Sequence, residues 1–275
     1  MAPTNTERRK RMSLWKKKRP VCESEKIPVT VEQAIPVYDV AEDGICLVGR
    51  NLYSKTFRFS DINYATASKT DKERMFLSYS EILNSFDSGA TTKISVFNRR
   101  MNRTQFEQSS LIPLCGDRLD RYRTEYNQIL KQNADLSAGM MQDKYLTITV
   151  SKSSPDEARS YFNRVCAEYA SLFAKLGSKF EEIDLTEKLR IVFDFFHHGS
   201  EEDFYYNPSL YEQRGYSFKD AVAPDSMEFR ADYFKVDGRC GRALYLRDYA
   251  NFIKDSFIAE LTDIDRGLML SIDAN

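Results

Sequence analysis

The chain has 275 residues, enough to bury the core of one large or two small domains, and its 40 basic and 41 acidic side chains leave a formal charge of −1. Near-neutrality excludes a surface that binds polyanions all over, and no apolar window of about 18 uncharged residues exists to span a membrane. No secretory signal opens the sequence. Five scattered cysteines, Cys22, Cys46, Cys115, Cys166 and Cys240, form no C-x-x-C pair and read as free thiols of a reducing cytosol rather than a disulfide framework or a zinc site.

Residues 1–40 read as a flexible segment: Arg8, Arg9, Lys10, Arg11, Lys16, Lys17, Lys18 and Arg19 stand against the single acid Glu7, and Pro20, Pro28 and Pro36 follow. Ile27–Val31 is apolar enough for an edge strand. Ordered structure is expected from Gly44, with a buried strand over Ile45–Val48 that ends at Gly49 and forms a hairpin with the next. There, Ser54, Thr56, Arg58 and Ser60 alternate with Lys55, Phe57, Phe59 and Asp61, the period of a half-buried strand. Thr70 and Glu73 fit a capping box for a helix whose Met75, Phe76, Tyr79, Ile82, Leu83 and Phe86 form a core-facing stripe. Gly89 stands where a left-handed stop is expected.

Thr92–Asn98 alternates as a strand, and Phe106–Leu114 is an amphipathic segment of ambiguous type stopped by Pro113. Leu119–Leu136 is expected to be helical, with Leu119, Tyr122, Tyr126, Ile129 and Leu130 on one face, and Tyr145–Ser151 to be a strand. Ser154, Pro155 and Glu157 open a helix that reaches Leu176 and stops at Gly177. Its buried face is Ala158, Tyr161, Phe162, Val165, Tyr169, Leu172 and Phe173. A short strand, Phe180–Ile183, precedes a helix capped by Asp184 and Glu187 that ends at His198–Gly199. Residues 200–226 read as a long loop or interdomain segment. Met227–Val236 and Cys240–Tyr249 then pair across a type I′ turn at Asp237–Gly238, followed by a helix over Phe252–Ile264 and a strand over Leu268–Ile272. The order predicts an α+β fold over residues 41–275: a mixed sheet with antiparallel hairpins and packed helices, any sub-boundary falling within 200–226.

Little in the sequence points to chemistry. No G-x-x-x-x-G-K-[ST] phosphate loop is present, and Gly238 and Gly241 lie between strands, where a hairpin is the better reading. His197 and His198 are adjacent, so on a helix they diverge by about 100° and cannot chelate one metal from one face. The basic run carries Leu14 and Trp15 within it. It keeps three readings: contact with an anionic membrane surface, contact with nucleic acid, or an inert tail. Tyr205, Tyr206, Tyr211 and Tyr216 cluster in the irregular region and fit either a protein interface or satellite packing under a loop.

The segments GICLVGRNLYSKTFRFSDINYATAS, FLSYSEILNSFDSGATTKISVFNRR, QDKYLTITV and GRALYLRDYANFIKDSFIAEL resemble the N-terminal half of conjugative-transfer ATPases. These are the TraE/TraC-type motors of type IV secretion systems, in the form found on integrative elements of Gram-positive bacteria. The resemblance runs from about Val37 to Ile272. It implies a module without catalytic, nucleotide-binding or metal residues and without a cofactor, which docks the motor on a membrane-embedded channel and helps its subunits assemble. In that family a RecA-like domain with Walker motifs follows, and this sequence stops at SIDAN before one, which reads as a truncated gene product, a split gene or the leading portion of a longer protein. The expectation is therefore a protein without ATPase activity of its own, cytoplasmic and peripheral at the inner face of the cell membrane. Its partners would be channel components, an anionic membrane through the basic tail, and further copies of itself. The rival expectation, from another class, is a nucleic-acid-binding accessory protein of a mobile genetic element.

Overall fold

The computed structural model describes residues 30–64, 66–85, 89–100, 111–136, 140–200, 203–248, 250–252, 254, 256–264 and 266–274. The basic run Arg8–Arg19 and most of the expected Ile27–Val31 strand lie outside them. Val31 instead opens a one-turn helix, α1 (Val31–Ala34), capped by the Thr30 hydroxyl. Structure thus begins before Gly44, because Ile35 is fully buried and anchors this stretch to a core. Strands β1 (Asp39–Val40), β2 (Cys46–Gly49) and β3 (Leu52–Phe59) follow in antiparallel succession, the last two as the expected hairpin. Gly44 holds φ +75° directly against the Ile183 carbonyl, where a Cβ would collide. Only glycine meets both demands.

Helix α2 (Lys69–Asn84) begins before the expected Thr70 cap. Ser68 is extended, and its hydroxyl accepts the Asp71 N–H at 3.2 Å. Ser-x-x-Asp and Thr-x-x-Glu are both competent caps; the earlier one prevails because it adds further intrahelical bonds. The helix stops at Asn84 with Ser85 as its C-cap, and Gly89 is not in the left-handed region. Phe86 lies outside the described residues. Next, β4 (Ala90–Arg100) and β5 (Met140–Ser151) form a long hairpin, registered from Ala90↔Val150 to Arg100↔Met140. Between them the chain carries α3 (Asp120–Leu136). Most of the Phe106–Leu114 segment lies outside the described residues.

Helix α4 (Pro155–Lys175) has its expected cap, Ser154 accepting from the Glu157 N–H at 3.2 Å, and the chain leaves it at Gly177. Then come β6 (Phe180–Glu182) and α5 (Leu185–Phe196), the latter capped by Asp184. The stretch expected to be a long loop folds instead into α6 (Pro208–Arg214) and a 3-10 turn over Phe218–Ala221, capped by Ser217 and Asp220. Three short strands follow, β7 (Met227–Phe229), β8 (Phe234–Val236) and β9 (Arg239–Gly241), in a small antiparallel sheet. Asp237 and Gly238 make the expected turn at φ 47° and 75°, but the two long strands expected around it do not form. The Arg230 N–H bonds back to the Tyr233 carbonyl at 2.9 Å and folds 227–236 into a hairpin of its own. Helix α7 (Phe257–Thr262) is shorter than expected, and β10 (Leu268–Ala274) longer.

The large sheet runs β1-β2-β3-β5-β4-β10, with β6 alongside the far half of β3. All described strand pairs are antiparallel. The α+β class therefore holds, while the expected mixed sheet gives way to an antiparallel one. The segment β3-α2-β4 straddles β5, and β5-α4-β6 straddles β3, which is the split β-α-β-β-α-β arrangement. The main core lies on the side of α4: Phe57, Leu146, Ile148 and Val150 pack against Ala158, Phe162, Val165, Tyr169 and Phe173. Phe180 bridges them, stacking on Phe57 and Phe173 at 4.9 and 4.8 Å.

Candidate functional site

Strand β3 is buried on both faces, not one, and each face presents a different chemistry. On the α4 side the unexpected residue is Lys55, 1% exposed among the aromatics, its ammonium 2.6 Å from Glu182. Glu182 also bonds Cys166. Desolvation would raise its pKa, but the bonds from Cys166 and Lys55 hold it below the usual carboxylate value. The Cys166 thiol is pushed up to about 12 by desolvation and by that same carboxylate.

The opposite face is polar. Thr56 and Thr147 share a hydrogen bond at 2.9 Å, and the Thr149 hydroxyl donates to Ser54 at 3.2 Å. Helix α5 covers this face with charges: Lys188 donates to Thr56 at 2.8 Å, and Glu187 meets Arg58 at 2.7 Å, where Arg58 also reaches Glu181 at 2.9 Å. Nearby, Arg99 pairs with Asp143 at 2.6 Å. Desolvation draws the Lys188 pKa down. It drives the Tyr145 pKa up, with help from the Asp143 and Glu187 carboxylates. Burial likewise raises that of the Cys46 thiol. Thr56, Lys188, Arg58 and Arg99 each find a partner within this layer, which is the arrangement of a structural seam between layers.

The apolar face of α5 points away from the sheet. Leu189 and Phe193 join Ile35, Ala221 and Val222 in a second core, with Phe204, Tyr206 and Tyr211 at its edge. That core is the reason residues 203–226 are ordered. It also divides the tyrosine cluster: Tyr206 and Tyr211 are half-buried, ring centroids 5.1 Å apart, whereas Tyr205 and Tyr216 are exposed. Tyr216 touches Tyr211 at 5.9 Å. His197 stacks on Phe193 at 3.8 Å, and the His198 ring lies against Gly267. Among the described residues no group of three or more His, Cys, Asp or Glu side chains is placed to hold a metal.

The most conspicuous surface lies elsewhere. Helix α3 stands beyond the end of the β4–β5 hairpin, and its expected one-sided stripe is largely open: Leu119, Tyr122 (66% exposed), Tyr126 and Ile129 face solvent, and Leu130 is half-buried. The stripe of α2 is likewise half open. Ile82 is buried and Met75 half-buried, but Phe76, Leu77, Tyr79 and Leu83 are exposed. Leu244, Tyr245 (88% exposed) and Leu246 add a further apolar run. The sequence located both helical stripes, but the core-facing expectation fails for Phe76, Tyr79 and Leu83 of α2. For α3 the available signal was the long insertion joining two strands of one hairpin, because a helix held outside the layers has no sheet to cover. No described helix is long and apolar enough to cross a membrane. No protein-family model matches the chain, and no curated protein matches it.

Proposed function

We propose that the chain is a non-catalytic docking and assembly module of a conjugative DNA-transfer ATPase of the type IV secretion kind, attaching the motor to its membrane channel. The observation that carries the reading is the solvent-facing stripe formed by Leu119, just before α3, and by Tyr122, Tyr126 and Ile129 on α3, a helix set apart from the core layers. Exposed apolar surface of this extent marks an interaction site, and aromatic residues are the ones interfaces enrich. The resemblance of the sequence segments to conjugation motors supplies the identity of the machine. The basic run Arg8–Arg19 would add reversible attraction to an anionic bilayer, at about 1 kcal/mol for each cation near the surface.

The test is a binding assay of the full chain against each channel subunit encoded in the same transfer region, comparing the native protein with Tyr122→Glu/Ile129→Glu. Both positions are solvated, so the variant should melt as the native chain does. Its binding should weaken at least about 30-fold, the loss of roughly 2 kcal/mol expected of an interface anchor. Undiminished binding by the variant would remove α3 from the interface. Absence of any channel partner, together with DNA binding that falls steeply with salt and is lost on deleting residues 1–20, would support the accessory-protein reading instead.

A further inference from the structure

The two outer edges of the large sheet are built differently. On one side β1 is two residues long and opens on Asp39, β2 slips register between Leu47 and Gly49, and β6 presents Glu181 and Glu182. Short strands, bulges and charges are the devices that keep sheet edges from pairing with one another. The other edge, β10, lacks them. It lies in unbroken register on β4, from Leu268↔Asn98 to Ala274↔Thr92, without proline or lysine. Its one charge, Asp273, is paired to Lys93 at 3.3 Å. Among the described strands β4 is its sole neighbour, and Met269 and Ile272 are exposed beside the open side.

We propose that β10 pairs antiparallel with β10 of a second copy, about a two-fold axis at Leu270, so that two sheets join edge to edge. The inference is independent of the docking reading. Its first support is the backbone: the outward N–H and C=O groups of an edge strand are satisfied by an identical strand laid antiparallel, and a two-fold pairing closes. The second is the side-chain pattern. Leu268, Leu270 and Ile272 share one face of the strand, so pairing at Leu270 sets Leu268 against the partner's Ile272 and Leu270 against the partner's Leu270. The apolar face then continues from one sheet into the next.

Charge disfavours registers displaced further toward the C-terminal end of the strand. At 3.4 Å per residue, pairing at Leu270 keeps the two Asp273 carboxylates about 20 Å apart. Each falls opposite the partner's Gly267, which carries no charge. Pairing at Ile272 or Asp273, or laying the strands parallel in register, would instead bring the two carboxylates together, which sheets disfavour.

Sedimentation velocity on the full chain across a concentration series tests the proposal. The native protein should pass from monomer to twice the monomer mass. Met269→Lys/Ser271→Lys, which sets like charges opposite one another on the solvent-facing side, should remain monomeric with an unchanged circular dichroism spectrum. Register is read by oxidising Leu270→Cys. Directly opposed residues of an antiparallel pair lie about 4.5–5.5 Å apart at Cα, within the span of a disulfide. Peptide mapping should therefore find the two substituted positions linked, while Ile272→Cys should not link to itself. If the lysine pair unfolds the chain, the Leu270→Cys cross-link decides. A monomer at every concentration, a dimer that survives the lysine pair, or self-linkage of Ile272→Cys in preference to Leu270→Cys would each overturn the proposal.

Discussion

Lys55 and Glu182 form one ion pair whose two halves should respond oppositely to mutation. The lysine is 1% exposed and lies in the aromatic layer beside Phe57, whereas the glutamate is 42% exposed at the rim. Removing the glutamate with Glu182→Ala strands an ammonium in the core, and uncompensated buried charges cost about 3–5 kcal/mol. The lower end, about 3 kcal/mol, is the better expectation, because a lysine stem can swing its head toward the rim. For a protein of this size that lowers Tm by roughly 6–12 °C, at about 2–4 °C per kcal/mol. Lys55→Met keeps the volume and removes the charge, leaving a glutamate that water can reach. The expected outcome is a change between zero and a gain of about 2 kcal/mol.

The two variants also differ with pH. The folded-state pKa of Glu182 is depressed, so its contribution is complete above the unfolded carboxylate value and is lost as pH falls through the folded one. Lys55→Met should flatten that acid limb. Urea melts of both single variants and the double, at neutral and acid pH, measure each quantity. If Glu182→Ala costs less than about 0.5 kcal/mol, or if Lys55→Met is the more damaging of the two, the ammonium is not held in a low-dielectric core and the reasoning fails.

Two further outcomes follow from burial and backbone geometry. Cys115 and Cys240 are exposed, whereas Cys46 is buried and Cys166 is held as the thiol by a pKa near 12. Alkylation followed by peptide mass spectrometry should thus label the first two in native buffer and the second two only in denaturant; early labelling of Cys46 would contradict the described packing. Gly44→Ala adds a methyl against the Ile183 carbonyl at a left-handed φ. It should cost at least about 1–2 kcal/mol in a chemical melt, and a neutral result would mean that the β1–β2 turn can shift.

The sequence is most legible where local and tertiary signals coincide. Helix α4 combines a serine cap, a proline in its first turn and one apolar face over the sheet, and its expected boundaries and buried residues match the structure apart from a half-buried Leu172. Strand β3 is less legible, because its alternation of apolar and polar residues does not reveal that a charged helix covers the polar face. Ser54 and Thr56 therefore read as solvated and are in fact buried. Residues 203–226 carry their apolar groups at neither helical nor strand spacing, so periodicity alone gave a loop. Their order comes from distant partners, Ile35 and α5. The stripe of α3 shows the reverse failure: its spacing is right for a helix, but spacing does not specify whether the partner belongs to the same molecule.

Helix α5 touches its two neighbours through opposite kinds of force. Toward the sheet it offers Glu187 and Lys188, and toward the outer core Leu189 and Phe193. Salt screens the partly exposed Arg58–Glu187 contact, while salting-out anions and osmolytes strengthen apolar burial. Solvent composition therefore shifts the relative grip of the two layers on one helix. In concentrated sulfate α5 belongs more to the outer layer, and in dilute buffer more to the sheet.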